Sequence, residues 1–207
     1  MNASGVPLRE LGLVLLVAAA VTYLATGPVR SLLVRTGRVA EIRTRDVHTQ
    51  PTPSLGGLAM FTGFLAAYAL AQQLPALTRG FAPVTPEMTA VLVGGLAIVL
   101  VGVVDDLYEL RALTKLIGQF AAAILMTALG IVFTVFYVPF GEGTTLILDQ
   151  AQGMVFSALF TVLLINAVNF VDGIDGLAAG LGMIAGSAIL LYSLAVLHDQ
   201  GGAVSAY

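Results

Sequence analysis

Charged residues bunch along this chain and leave six apolar stretches between them: 11–29, the part of 49–78 that begins at Leu55, 88–104, 116–141, 150–171 and 176–198. Each holds or approaches the roughly 20 apolar residues that cross a hydrocarbon core as a helix. None alternates at the period of two that a membrane strand requires, so the pattern predicts helices and not a barrel. The expected architecture is all-α: one polytopic transmembrane helical bundle over 1–207, with six helices near 11–29, 55–74, 88–104, 115–136, 153–171 and 176–197.

Composition agrees. Of 207 residues, 58% are hydrophobic and 10% charged, where a soluble domain carries about 25% charged. There is no cysteine, which excludes disulfides and thiolate metal sites. A net charge of −3 gives no reason to expect nucleic acid. The first stretch is expected to be a retained helix and not a signal peptide, because Arg9 is balanced by Glu10 and no cleavage site follows.

Lysine and arginine mark cytoplasmic loops. Arg30, Arg35, Arg38, Arg43 and Arg45 follow the first stretch, and Arg111 and Lys115 follow the third. The connection between the second and third carries only Arg79, and the fourth connection none. The N-terminus is therefore expected outside, with connections 1–2, 3–4 and 5–6 in the cytoplasm. On the outer side, Thr85-Pro86-Glu87 reads as N-cap, first-turn proline and first-turn acid of the third helix. The glycines Gly94-Gly95 and Gly182 with Gly186 are expected to let helices approach closely.

Residues with chemical potential gather on the expected cytoplasmic side. Asp105-Asp106 close the third stretch, at a helix end that already carries partial negative charge, while Lys115 opens the fourth at an end that carries positive charge. Two inverted placements argue against simple capping, and Arg111, Lys115 and Gln119 share one face if the fourth helix begins early. Adjacent acids are useful where a divalent metal or a substrate proton compensates them; alone, they are more simply solvated residues that stop a helix.

Asn166, Asn169 and Asp172 recur at three-residue steps, and Asp175 follows between Gly173 and Gly176. Amide oxygens, carboxylates and the free amides that open the sixth helix suit a metal-bridged pyrophosphate. Asp175 reads equally well as a helix N-cap, and the asparagines as partners in interhelical hydrogen bonds. A third motif, from His48 through Pro51, Pro53 and Ser54 to Gly56-Gly57, enters the second helix. Ser54 is placed to cap that helix, and His48 is either a phosphate-binding or proton-shuttling group or an exposed loop histidine.

These motifs, in this order, resemble the polyprenyl-phosphate N-acetylhexosamine-1-phosphate transferases, glycosyltransferase family 4. The resemblance rests on His-x-x-Pro-Thr-Pro-x-x-Gly-Gly at 48–57, Gly-x-x-Asp-Asp-x-x-x-Leu at 102–110 with Lys115 and Gln119, and Asn-x-x-Asn-Phe-x-Asp-Gly-x-Asp-Gly-Leu at 166–177. The first motif and Lys115-x-x-x-Gln119 look more like the N-acetylglucosamine-1-phosphate branch than the muramyl-pentapeptide branch.

The resemblance implies a bacterial inner-membrane enzyme with its site on the cytoplasmic face. It would transfer N-acetylglucosamine-1-phosphate from a UDP-sugar to undecaprenyl or decaprenyl phosphate, release UMP and begin a cell-envelope polymer. It implies Asp105 and Asp106 as catalytic residues near the lipid phosphate, and Asn169 and Asp172 as holders of Mg2+, with Mn2+ as the alternative. His48, Ser54, Gly56, Gly57, Lys115, Asn166 and Asp175 would contact substrate, and a homodimer is compatible with the family. Direct attack by the lipid phosphate and double displacement through an aspartate both stay open. The resemblance also implies further site residues after the sixth helix, so these 207 residues are expected to be catalytically incomplete. Two other classes are a transporter, whose acids should lie near mid-bilayer, and a CDP-alcohol phosphotransferase, whose arginine after Asp-Gly is missing at 172–186.

Overall fold

The computed structural model describes residues 7–35, 55–78, 84–138, 144–172 and 176–199, with side chains in the last segment described as far as Ala195. Six helices run through them: α1 (Leu8–Arg35), α2 (Gly56–Ala71), α3 (Pro86–Tyr108), α4 (Ala112–Ala128), α5 (Gln150–Val171) and α6 (Leu177–Asp199). Four of them, α1, α3, α5 and α6, are long and apolar enough to cross a membrane. The other two have 16 and 17 residues, which at about 1.5 Å per residue falls short of a core of roughly 30 Å. Large apolar side chains point outward along the helices, Leu15, Tyr23, Leu163 and Ile184 among them. Water would not tolerate so extensive an apolar surface, and lipid requires it.

Helix starts follow their local chemistry. Thr85 caps α3 by accepting from the Met88 N–H at 3.2 Å, with Pro86 in the first turn. Asp149 and Gln152 form a reciprocal capping box at α5. At α2 the N-cap position falls on Leu55, whose side chain makes no capping bond; Ser54 lies outside the described residues.

Among the described elements each helix packs only on its neighbours in sequence, and small residues form the seams. On α2 the buried positions are Ala59, Gly63, Ala67 and Ala71, at four-residue steps that make one stripe against α1. A Cβ at Gly63 would collide with Thr22 Oγ1 and stand 2.7 Å from the Ala18 carbonyl oxygen. This seam is closer than any side chain allows, as expected where helices associate in lipid by close packing. Gly94 and Gly95 likewise abut Met126 and Phe61. Gly182 and Gly186 do not follow the expectation: a Cβ at either would meet nothing within 4 Å. The α6 helix meets only α5 among the described elements, so no described helix lies against those glycines.

The fourth helix corrects the sequence reading. Expected to reach 136, it stops at Ala128. Gly130 turns the chain at φ 114°, its N–H bonds to the Thr127 carbonyl at 3.1 Å, and the Ile131 N–H bonds to the Met126 carbonyl at 3.3 Å. This paired closure ends a helix at a left-handed glycine. Beyond it, the β-branched and aromatic run Ile131–Val138 favours extended backbone. Strand β1 (Val135–Val138) pairs antiparallel with β2 (Thr144–Ile147), matching Val135 with Ile147 and Tyr137 with Thr145. The fold is thus helical with one small hairpin.

Non-helical backbone beside a membrane helix needs partners for its polar groups. The Phe133 N–H finds one in Ser157 Oγ of α5, at 2.7 Å, and Ser157 is only 1% exposed. The Phe133 ring meets Phe156 and Phe160 edge-on.

Substituting Gly63→Leu should destabilise the α1–α2 pair by about 1–3 kcal/mol, the usual cost of overpacking. Gly12→Ala, where a Cβ meets nothing within 4 Å, should not. Thermal unfolding of the two variants in detergent measures the difference, and equal stability would refute the tight α1–α2 seam.

Candidate functional site

The third and fourth helices are joined by only three residues, Glu109–Arg111. Glu109 caps α3 in the left-handed region, φ 47°, with its N–H on the Asp105 carbonyl at 2.8 Å. A non-glycine residue there costs on the order of 1–2 kcal/mol. The reversal brings the end of α3 beside the first turns of α4. Lys115 Nζ lies 2.7 Å from Asp105 Oδ2, with the two side chains 25% and 20% exposed. The inverted charges read from the sequence therefore answer each other: each sits at the wrong end of its own helix and against the right partner.

The same ammonium donates to Asn169 Oδ1 of α5 at 3.5 Å. Lys115 thus connects one residue from each of the two acid- and amide-bearing motifs. One turn further along α4, Gln119 is 3% exposed, and its Oε1 accepts from Asn166 Nδ2 at 2.7 Å; that amide also donates to the Val162 carbonyl at 2.8 Å. Below this bond, Ala123, Ala158 and Val162 form the apolar seam between α4 and α5, with Phe120 packed against it. Two polar rungs above an apolar seam hold α4 and α5 in register and set where Lys115 and Asn169 meet.

The remaining expected residues fall as follows. Asp106 neighbours Asp105 in the last turns of α3. Asp172 is the exposed C-cap of α5, its N–H on the Val168 carbonyl at 3.0 Å. Gly56 and Gly57 open α2, and a Cβ at either would meet nothing within 4 Å. His48, Ser54 and Asp175 lie outside the described residues. Asn166, expected to contact substrate, has its amide nitrogen engaged by Gln119 and Val162, which gives it a structural bond. Gln119, which the four-residue step already put on the face of Lys115, has in Asn166 a partner that the sequence did not name.

Among the described residues no three or more His, Cys, Asp or Glu side chains stand close enough to hold a metal ion. Asn169 and Asp172, one turn apart, offer oxygen donors only. That is the donor chemistry of magnesium, which takes one or two protein carboxylates and completes its shell with substrate phosphates and water. The donor set fits such an ion in kind.

A model of glycosyl transferase family 4 matches residues 88–206, the segment that holds Asp105, Lys115, Gln119, Asn166 and Asn169. The chain belongs to glycosyl transferase family 4. It is 53% identical over 204 residues to a Mycobacterium tuberculosis protein named decaprenyl-phosphate N-acetylglucosaminephosphotransferase, covering 99% of this chain and 50% of that one. The Mycobacterium leprae protein of the same name is 51% identical over 206 residues, covering 100% of this chain and 52% of that one. A phospho-N-acetylmuramoyl-pentapeptide-transferase of Mycolicibacterium smegmatis is 32% identical over 201 residues, with 84% and 55% covered. The chain spans about half the length of the curated relatives it matches. No solved structure matches it significantly.

Truncating Asn166 to Leu should cost about 1–3 kcal/mol, because it strands the buried Gln119 amide. Adding Gln119→Leu should return much of that loss, since an apolar pair in the same place leaves nothing unsatisfied. A double-mutant cycle by thermal unfolding measures the coupling, and additive losses would show that the bond carries no stability.

Proposed function

We propose that this chain supplies the catalytic face of a membrane transferase that moves N-acetylglucosamine-1-phosphate from a UDP-sugar to a polyprenyl phosphate. The observation that carries the reading is the Lys115 ammonium held between Asp105 and Asn169, in a chain half identical to proteins named for that transfer to decaprenyl phosphate. Two anionic substrates must approach each other in this reaction, which calls for a fixed cation among oxygen donors at a helix-end cluster.

In this mechanism an oxygen of the lipid phosphate attacks the β-phosphorus of the UDP-sugar. The bond from that phosphorus to the oxygen bridging to the α-phosphate breaks, and UMP leaves with the electron pair. Phosphoryl transfer depends chiefly on positioning and charge stabilisation. An ammonium has three N–H donors, so with Asp105 and Asn169 engaged Lys115 keeps one direction for a phosphate oxygen. Asp105 and Asp106 stand at the lipid-phosphate side and accept its proton where it arrives protonated. Asn169 and Asp172 would hold Mg2+, whose part is to neutralise pyrophosphate charge. The Gln119–Asn166 bond keeps the α4 and α5 groups in register through the reaction. We place this face in the cytoplasm, on the arginine and lysine distribution, because the sugar nucleotide is water-soluble.

UMP release from a panel of UDP-sugars, with decaprenyl phosphate and Mg2+, tests the reading in a form extended to the length of the relatives. UDP-N-acetylglucosamine should be the preferred donor. Asp105→Asn, Asp106→Asn and Asp172→Asn should each lower turnover by at least about a hundredfold, the lower range for a single catalytic group, at unchanged protein level. Near-normal turnover in all three would leave the site without support. For orientation, Glu109→Cys should be shielded from an impermeant thiol reagent outside intact cells and Gly80→Cys should react; the opposite pattern would invert the assignment of faces.

A further inference from the structure

The hairpin stands at the end of α4 and α5 opposite the Lys115 cluster, and its two faces differ. Phe136 and Leu146 are paired across the strands on one face, where the Phe136 ring packs on Phe156 of α5 at 5.4 Å between centroids and the two side chains are 44% and 46% exposed. On the other face the rungs are Val135 with Ile147 and Tyr137 with Thr145. No charged residue occurs in either strand. Ile147 is 80% exposed, and Val135 and Tyr137 are exposed as well.

The level of this outward face along α5 follows from its root. The Phe133 N–H reaches Ser157, two turns inside α5, and the Leu148 N–H closes on the Thr134 carbonyl at 2.8 Å, beside the Asp149 cap. The rung Val135–Ile147 therefore lies level with the first turn of α5, where the spanning helix begins, and Tyr137–Thr145 lies about two strand residues, roughly 7 Å, beyond it. Apolar residues come first and a tyrosine with a threonine next. That is the order of polarity across a membrane surface, where tyrosine settles at headgroup level.

We propose that the outward face of the β1–β2 hairpin lies in the headgroup region of the leaflet opposite the candidate site, where water still reaches the open strand edges, with the Val135 and Ile147 side chains turned toward the upper acyl chains and Tyr137 outermost. The hairpin then acts as an interfacial float: it completes the crossing that α4 leaves short and fixes the depth of the α4–α5 pair. Lys115 and Asn169 at the far end are thereby held at a set height. The inference rests on the hairpin geometry and on membrane insertion, and it stands whatever the donor sugar or the reaction.

The chain contains no tryptophan, so a single introduced indole reports without background. Ile147→Trp and, separately, Tyr137→Trp would be reconstituted into phosphatidylcholine–phosphatidylglycerol vesicles, with lipids brominated either near the headgroup end or near the methyl end of their chains. Phe136→Trp, on the face that packs on Phe156, serves as a reference of lower exposure. Ile147→Trp should give blue-shifted emission that the shallow bromines quench more than the deep ones, and Tyr137→Trp a weaker form of the same result. Because both positions are exposed, the larger side chain meets no core, and either variant alone decides the matter if the other fails to fold. Emission typical of indole in water, unquenched by both lipids, would overturn the proposal by putting the face in solvent. Blue-shifted emission unquenched by both would overturn it by showing that protein, a second copy or another partner, covers the face.

Discussion

Inside a hydrocarbon layer a polar group has no water to turn to, so each must find its partner within the protein. The layout of this chain follows from that constraint. It makes the apolar stretches helical, since only a helix satisfies its own backbone. It explains why the segment that breaks the rule, Gly130–Thr134, runs against α5 where Ser157 supplies an oxygen to Phe133. It also explains the ladder between α4 and α5, in which Gln119, nearly inaccessible, is answered by Asn166. In water these would be minor contacts; at this depth the alternative to each is a stranded dipole.

Polarity along the ladder is graded, and that gradient connects packing to chemistry. From the middle of the α4–α5 seam outward come alanines and Val162, then the neutral Gln119–Asn166 pair, then the charged contact of Lys115 with Asp105 and Asn169. Along this seam charge appears only at the helix ends, and the neutral hydrogen bonds separate it from the apolar part. A shift of α4 by one residue would swing each of these groups about the helix axis, so the neutral rung fixes the geometry of the charged one.

Much of this was legible in the residue pattern. Bunched charges located six helices, and Thr85-Pro86-Glu87 marked the start of α3. The inverted charges of Asp105 and Lys115 were noticed as odd, yet their pairing was not deducible, because it depends on the tight reversal at Glu109 and its positive φ. The end of α4 was missed for a different reason. Hydropathy treats 116–141 as one apolar run, and an extended apolar segment lying on a helix has the same hydropathy as a helix. The signal present was the change of residue type after Gly130, from alanine and leucine to β-branched and aromatic residues. Gly182 and Gly186 were read as packing glycines on composition alone, which says nothing of whether a neighbouring helix is there.

The charged rung also bears on whether stability or chemistry accounts for this end of the bundle. Aspartate at the C-terminal end of α3 and lysine at the N-terminal end of α4 each oppose a helix dipole, at about 0.3–1 kcal/mol apiece. Glu109 in the left-handed region adds on the order of 1–2 kcal/mol. Against this stand the Lys115–Asp105 ion pair, whose partners are a fifth to a quarter exposed, and the contact of the same ammonium with Asn169. The two charges, each misplaced on its own helix, are thus compensated across the α3–α4 reversal and not by the helices that carry them. The result is a cation kept among oxygen donors where three helices meet, the feature on which the proposed function rests.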